Sequence, residues 1–164
     1  MHKSLIINNL EFAQNALELD ETIEAIQLPR LAESLMPNSA ATIQIKLQGA
    51  GKLLRHFSLQ LHVKAVLPVI CQRCLNELLM PINLKFYYLL IESAESAHDD
   101  DETDWLLIEP EMNVLDLIED ELLMAMPIAP AHDHDCSKLS LQSGEKANPF
   151  SVLKNLKTQN PKKS

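Results

Sequence analysis

Three stretches of the chain alternate apolar and polar residues with a strict period of two, a pattern no helix can satisfy. In 41–47, Ala41, Ile43, Ile45 and Leu47 alternate with Thr42, Gln44 and Lys46. In 57–64, Phe57, Leu59, Leu61 and Val63 alternate with Ser58, Gln60, His62 and Lys64. In 82–90, Ile82, Leu84, Phe86, Tyr88 and Leu90 alternate with Asn83, Lys85, Tyr87 and Leu89. Successive side chains on a strand point to opposite faces, so each stretch reads as a strand with one buried and one solvated face. Gly49-Ala50-Gly51 supplies residues tolerant of positive φ between the first two, which predicts a hairpin there. Short links favour antiparallel pairing. Trp105-Leu106-Leu107-Ile108 adds a short fourth strand.

Helical signals flank this sheet. Pro29 suits the first position of a helix that Pro37 stops. A second helix is predicted over 114–126, capped by Asn113, with Asp116 near its positive end. Val114, Leu115, Ile118, Leu122, Ala125 and Met126 share one arc of it, and Pro127 ends it. The opposite face carries Asp116, Glu119 and Asp120, with Glu121 at the border. The expectation is α+β: an antiparallel sheet of about four strands, a hairpin or meander, with two flanking helices and a basic C-terminal tail. Residues 1–136 then form a single domain with an acidic loop at 92–104. Residues 137–164 form a basic, partly flexible tail with one short helix near 150–156.

At 164 residues the chain can bury a core without disulfide staples, and with 4% aromatics that core is built from Leu, Ile and Val. The net charge of −9 argues against a plain basic nucleic-acid binder, but it conceals a segregation. Residues 1–39 carry −4, 40–88 carry +5, 89–136 carry −15 without one Lys or Arg, and 137–164 carry +5. Such blocks suggest surfaces with separate partners, or acidic and basic parts that fold against each other. No apolar run approaches the ~20 residues of a membrane span. Met1 to Asn9 has one Lys and an apolar run of three, unlike a secretory signal, so the expected location is cytoplasmic.

Cys71-Gln72-Arg73-Cys74 is a C-x-x-C pair following the apolar run Val66 to Ile70. The third cysteine closes His132-Asp133-His134-Asp135-Cys136. Zinc takes four nitrogen or sulfur ligands in a tetrahedron, so Cys71, Cys74 and Cys136 with His132 or His134 fit a Cys₃His site. The alternative is three reduced cysteines beside a solvated loop. A redox role fits less well, because redox C-x-x-C pairs open a helix and this one follows a strand.

These motifs, together with Ile118 to Pro127 and with Asn148-Pro149-Phe150 and Leu153-Lys154, resemble the YceD family of bacterial large ribosomal RNA subunit accumulation proteins. The resemblance runs from about Leu31 to Leu156 and rests on four motifs in the same order. It implies a cytoplasmic factor in the synthesis, processing or accumulation of 23S rRNA, with large-subunit rRNA, its precursor or ribosomal assembly proteins as partners. It supplies no catalytic residue and no metal assignment.

Two modes of action follow from the residues themselves. The outward sheet face displays Lys46, Lys64, Lys85 and Tyr87, beside His62, Gln44, Gln60 and Asn83, and the tail adds Lys154, Lys157, Lys162 and Lys163. Basic side chains with an aromatic hold phosphates and stack a base of single-stranded RNA. Alternatively the acidic 92–121 stretch, including Asp116, Glu119 and Asp120, serves as an adaptor or chaperone for a basic ribosomal protein or an rRNA-processing enzyme. Either surface also reads as simply solvated. Catalysis is not expected: three glycines leave no room for a phosphate loop, and acidic neighbours disfavour a Cys136 thiolate beside His134. The carboxylates of 99–104 read as a loop rather than a magnesium site.

Overall fold

In the computed structural model, which describes residues 5–53, 55–96 and 104–137, the alternating stretches form the centre of a five-stranded sheet. Strands β1 (Ile6–Ile7), β2 (Glu18–Glu24), β3 (Thr42–Leu53), β4 (His56–Ile70), β5 (Glu77–Ile91), β6 (Asp104–Leu107) and β7 (Met112–Asn113) are joined by helices α1 (Asn9–Gln14), α2 (Pro29–Ser34) and α3 (Val114–Ala125). The sheet order is β2-β3-β4-β5-β6, and β1 pairs with β7 in a separate ribbon. All sheet neighbours are antiparallel except β5 and β6, which run parallel with Leu89 opposite Trp105. The fold class is therefore the α+β one expected, with one more strand in the main sheet, a parallel edge, a separate two-stranded ribbon and one more α-helix among the described residues.

The inner face carries the alternation faithfully. Ile43, Ile45 and Leu47 of β3, Leu59, Leu61 and Val63 of β4, and Ile82, Tyr88 and Leu90 of β5 are buried. They share one core with Phe12 of α1, Leu31 of α2 and Leu115, Ile118 and Leu122 of α3. Asn113 caps α3 as expected, its Oδ1 accepting the Leu115 N–H at 3.2 Å.

The hairpin differs from the expected one in where it turns. β3 runs on through Gly49-Ala50-Gly51 to Leu53, and Arg55 takes the positive φ of 75° at the turn. The glycines serve two other purposes. A Cβ on Gly49 would lie 2.4 Å from the Phe12 carbonyl oxygen, so its bareness lets α1 seat on the strand. Gly51, at φ +74°, takes up the register shift between Gly49 and Gly51.

β4 and β5 outrun their neighbours. Beyond Ala65, the last β4 residue paired to β3, Val66 to Ile70 pair with β5 alone through Pro81 to Glu77. This two-stranded arm carries the C-x-x-C pair at its tip. The tail and the centre of the acidic loop lie outside the described residues. No described helix is long and apolar enough to cross a membrane.

Candidate metal centre and sheet face

At the tip of the arm the chain turns back within six residues. The Cys71 N–H donates to the Asn76 carbonyl at 2.9 Å, the Leu75 N–H donates to the Cys71 carbonyl at 2.9 Å, and Leu75 adopts φ +61°. That turn folds Cys74 back beside Cys71. The segment after α3 then crosses the tip, held where the Gln72 N–H donates to the Pro130 carbonyl at 2.8 Å. The Arg73 guanidinium donates to the His132 carbonyl. Two sequence blocks some sixty residues apart meet through one backbone hydrogen bond and the Arg73 side chain.

The result is a four-ligand cluster. The ligand atoms of Cys71, Cys74, His132 and Cys136 all lie within 4.8 Å of one another. Cys71 Sγ is 3.6 Å from Cys136 Sγ, and Cys74 Sγ is 3.6 Å from His132 Nδ1. Tetrahedral zinc, with bonds of about 2.3 Å to sulfur and 2.0–2.1 Å to nitrogen, sets about 3.8 Å between two sulfurs and about 3.6 Å between sulfur and nitrogen. The spacing matches before any ion is considered. His132 Nε2 lies 3.1 Å from the Glu77 carbonyl. A carbonyl only accepts, so Nε2 carries the proton and Nδ1 turns its lone pair toward Cys74, the usual outer support of a metal-bound histidine. The Arg73 guanidinium and the Glu77 carbonyl belong to this support, and their roles are set by three-dimensional proximity that no sequence spacing encodes.

The thiols are not equivalent. Burial pushes the Cys71 thiol up, but the backbone N–H groups of Cys74, His132 and Arg73 aimed at its sulfur outweigh that and hold it down at about 5. Cys136 is pushed up to about 11 by burial and by the neighbouring Cys71 and Cys74 sulfurs. A divalent cation removes that mutual repulsion by drawing every thiol to the thiolate. Of the two histidines left open by the spacing, His132 joins the cluster. His134 is exposed and stays outside it, its ring centroid 4.9 Å from that of His132.

The outer sheet face also differs from a simple basic platform. The register aligns Asp20, Lys46, His62 and Lys85 in one row and Thr22, Gln44, Lys64 and Asn83 in the next. Lys46 Nζ lies 2.7 Å from Glu18 Oε1 on β2, which lowers Glu18 and raises Lys46 from their ordinary values by a shared hydrogen bond. Edge strand β2 thus neutralises one predicted cation. Lys64 and Lys85 remain exposed, and Tyr87 is half-buried, its hydroxyl 3.0 Å from Ser58 Oγ. Lys46, Gln60, His62, Lys85 and Tyr87 line a shallow depression of about 440 Å³. No described helix contributes to that lining. Lys154 and Lys157 lie outside the described residues.

The acidic face of α3 divides as well. Asp116 is exposed and Asp120 is half-exposed, but Glu119 is only 3% exposed. Its Oε1 accepts the Arg30 and Leu31 N–H groups at 2.7 and 3.1 Å, and its Oε2 accepts Arg30 Nε at 2.8 Å. Glu119 caps α2, so its carboxylate is engaged within the fold, whereas Asp116 and Asp120 reach the surface. At 100° per residue Glu119 lies about 20° from Met126, at the edge of the apolar arc rather than opposite it, and α2 packs there.

Comparison with known proteins agrees with the motif order. The profile of the family described as large ribosomal RNA subunit accumulation protein YceD matches residues 59–157. A Haemophilus influenzae protein named large ribosomal RNA subunit accumulation protein YceD is 28% identical over 170 residues, covering 93% of this chain and 95% of that one. No solved structure matches the chain.

Proposed function

The chain belongs to the YceD family, and from that premise we propose that it is a non-catalytic, cytoplasmic factor in large-subunit ribosome biogenesis that promotes accumulation of 23S rRNA. The observation that carries the mode of action is the open outer face of β3–β5. Lys64 and Lys85 stand one register row apart there, with Tyr87, Gln60 and His62 around them. Two cations over a shallow, amide-rich surface suit the phosphates of an unpaired strand, and Tyr87 offers an edge for one base. The second reading, an adaptor for a basic ribosomal protein or processing enzyme, retains Asp116 and Asp120 at the surface beside the acidic block.

In this reading the Cys₃His cluster holds zinc in a structural role. All four corners are protein ligands, which leaves no open position for a reacting water. The ion would clamp the segment from Pro130 to Cys136 onto the tip of the β4–β5 arm and so fix where the chain departs toward its tail.

Ultraviolet crosslinking of the tagged protein in growing cells, with sequencing of the attached RNA, tests the primary reading. A discrete peak in large-subunit rRNA or its precursor is expected, and it should weaken when Lys64 and Lys85 are both changed to Glu. Background crosslinks alone, with a ribosomal protein or nuclease still co-purifying, would overturn direct RNA contact in favour of the adaptor.

A further inference from the structure

Behind the arm, on the inner side of the sheet, lies an apolar groove that the core does not fill. It measures about 390 Å³, between Val69 and Met80 of the arm, Leu35 beyond α2, and Leu123, Met126 and Ile128 at the end of α3. Ile128 is 105% exposed and neighbouring Met124 is 78% exposed, high values for large apolar side chains. Methionines on two walls suit a surface that receives another segment, because their unbranched side chains adapt to what lies on them.

The chain's own exit points to the occupant. Pro130 lines the groove while its carbonyl accepts from Gln72, and Cys136 returns to within 3.6 Å of Cys71, the residue after groove-lining Ile70. The described chain therefore ends, at Ser137, close to the groove. The ten residues 138–147 reach up to about 33 Å when extended, enough to bring the next segment to any part of it. That segment, Asn148 to Lys157, concentrates Phe150, Val152, Leu153 and Leu156 with Lys154 and Lys157.

Charge supports the same pairing. Helix α3 has no basic residue of its own in its last turn, where a cation is favoured, and Glu33 sits on the groove rim. The whole of 89–136 holds no Lys or Arg, whereas 137–164 carries +5. The family profile also ends at residue 157, the last residue of this segment, and includes the arm and α3.

We propose that the groove between the β4–β5 arm and the end of α3 is the docking site of the chain's own 148–157 segment. Its apolar side chains enter the groove, and Lys154 and Lys157 answer Glu33 and the carbonyl end of α3. Those two lysines are then committed within the molecule. The Cys₃His cluster acts as the hinge pin that aims the tail.

The test places the photoreactive residue p-benzoylphenylalanine at Phe150 in the full chain, irradiates it at low concentration, and maps the products by mass spectrometry. Crosslinks within one chain to Met80, Met126 or Ile128 are expected. Hydrogen exchange at 150–156 should be slowed at least about tenfold relative to an unstructured peptide. Ile128→Lys, at a fully exposed position, should abolish both effects without unfolding the sheet. Crosslinks between chains that rise with concentration would assign the groove to a second copy and overturn the proposal. Crosslinks elsewhere, unprotected amides, or protection that survives Ile128→Lys would overturn it as well.

Discussion

Glu119 is a buried carboxylate used as a helix cap from outside the helix it caps. Leu28, before Pro29 at the start of α2, offers no side-chain cap, and a helix of six residues has little intrinsic stability to spare. The carboxylate accepts two of its free N–H groups at the positive end of its dipole. Glu119→Ala strands those donors in a dry site, and denaturant unfolding should show a loss of about 2–4 kcal/mol. Asp120→Ala removes only the half-exposed contact to Arg30 Nη1 and should cost no more than about 1 kcal/mol. Equal losses would mean that the exposed ion pair, rather than the cap, joins α2 to α3. Glu121, two residues on, behaves in the opposite sense. The Tyr88 hydroxyl donates to it at 2.8 Å, yet burial dominates and raises its carboxyl above the ordinary 4.5. The folded protein therefore holds this proton to higher pH than the unfolded chain. The group's penalty is absent below about 4.5 and grows as pH rises through the raised value. Glu121→Gln should match the wild type in acid and exceed it in stability near neutral pH. A variant equally stable at every pH would contradict that.

Elements announced themselves in the sequence according to how many alternate positions they bury. β4 has six consecutive inward positions, Leu59, Leu61, Val63, Ala65, Leu67 and Val69, all buried; its alternation is plain over 57–64, whereas Val66 to Ile70 reads only as an apolar run. β2 reads Glu-Leu-Asp-Glu-Thr-Ile-Glu and places Glu21 among its inward positions, so an edge strand half-open to water carried no usable period. α1, six residues long, spans too few turns to show one either. The metal ligands were legible as residue types at suggestive spacing, but the choice of His132 over His134 depends on the Glu77 carbonyl, which the sequence does not place. The glycines were legible as special and not for what. Gly49 was expected at a turn and instead admits α1. Gly49→Val should therefore dislodge α1, costing roughly 2–4 kcal/mol, since its Cβ meets backbone at 2.4 Å. Gly51→Ala meets nothing within 4 Å and bears only the left-handed strain, about 1–2 kcal/mol. A thermal-melt series in which Gly51→Ala is the worse of the two would restore the turn assignment.

At the scale of the molecule, the long arm and the charge blocks divide the labour. If zinc clamps 130–136 to the arm, its removal loosens that crossing while the five-stranded sheet persists on its own core. Purified protein should release about one zinc per chain on thiol modification. Chelation should speed hydrogen exchange at 127–137 and leave the exchange of β3 and β4 unchanged; global unfolding would assign the ion a larger role than a clamp. The RNA reading makes a separate quantitative demand. Binding that rests on phosphate contacts weakens as salt rises, with a log–log slope of about 0.7 per neutralised phosphate on a single strand. Lys64→Gln and Lys85→Gln should each make that slope shallower by about 0.7. Lys46→Gln should change it less, because Glu18 holds that ammonium at 2.7 Å and binding RNA there would first break the pair. The contrast separates the sheet face from general electrostatics, since all three substitutions alter net charge equally. Three equal slopes would mean that the RNA senses only the overall field. A shallower slope for Lys64 and Lys85 alone places the phosphates on the β4–β5 side of the sheet, away from the acidic edge that β2 supplies.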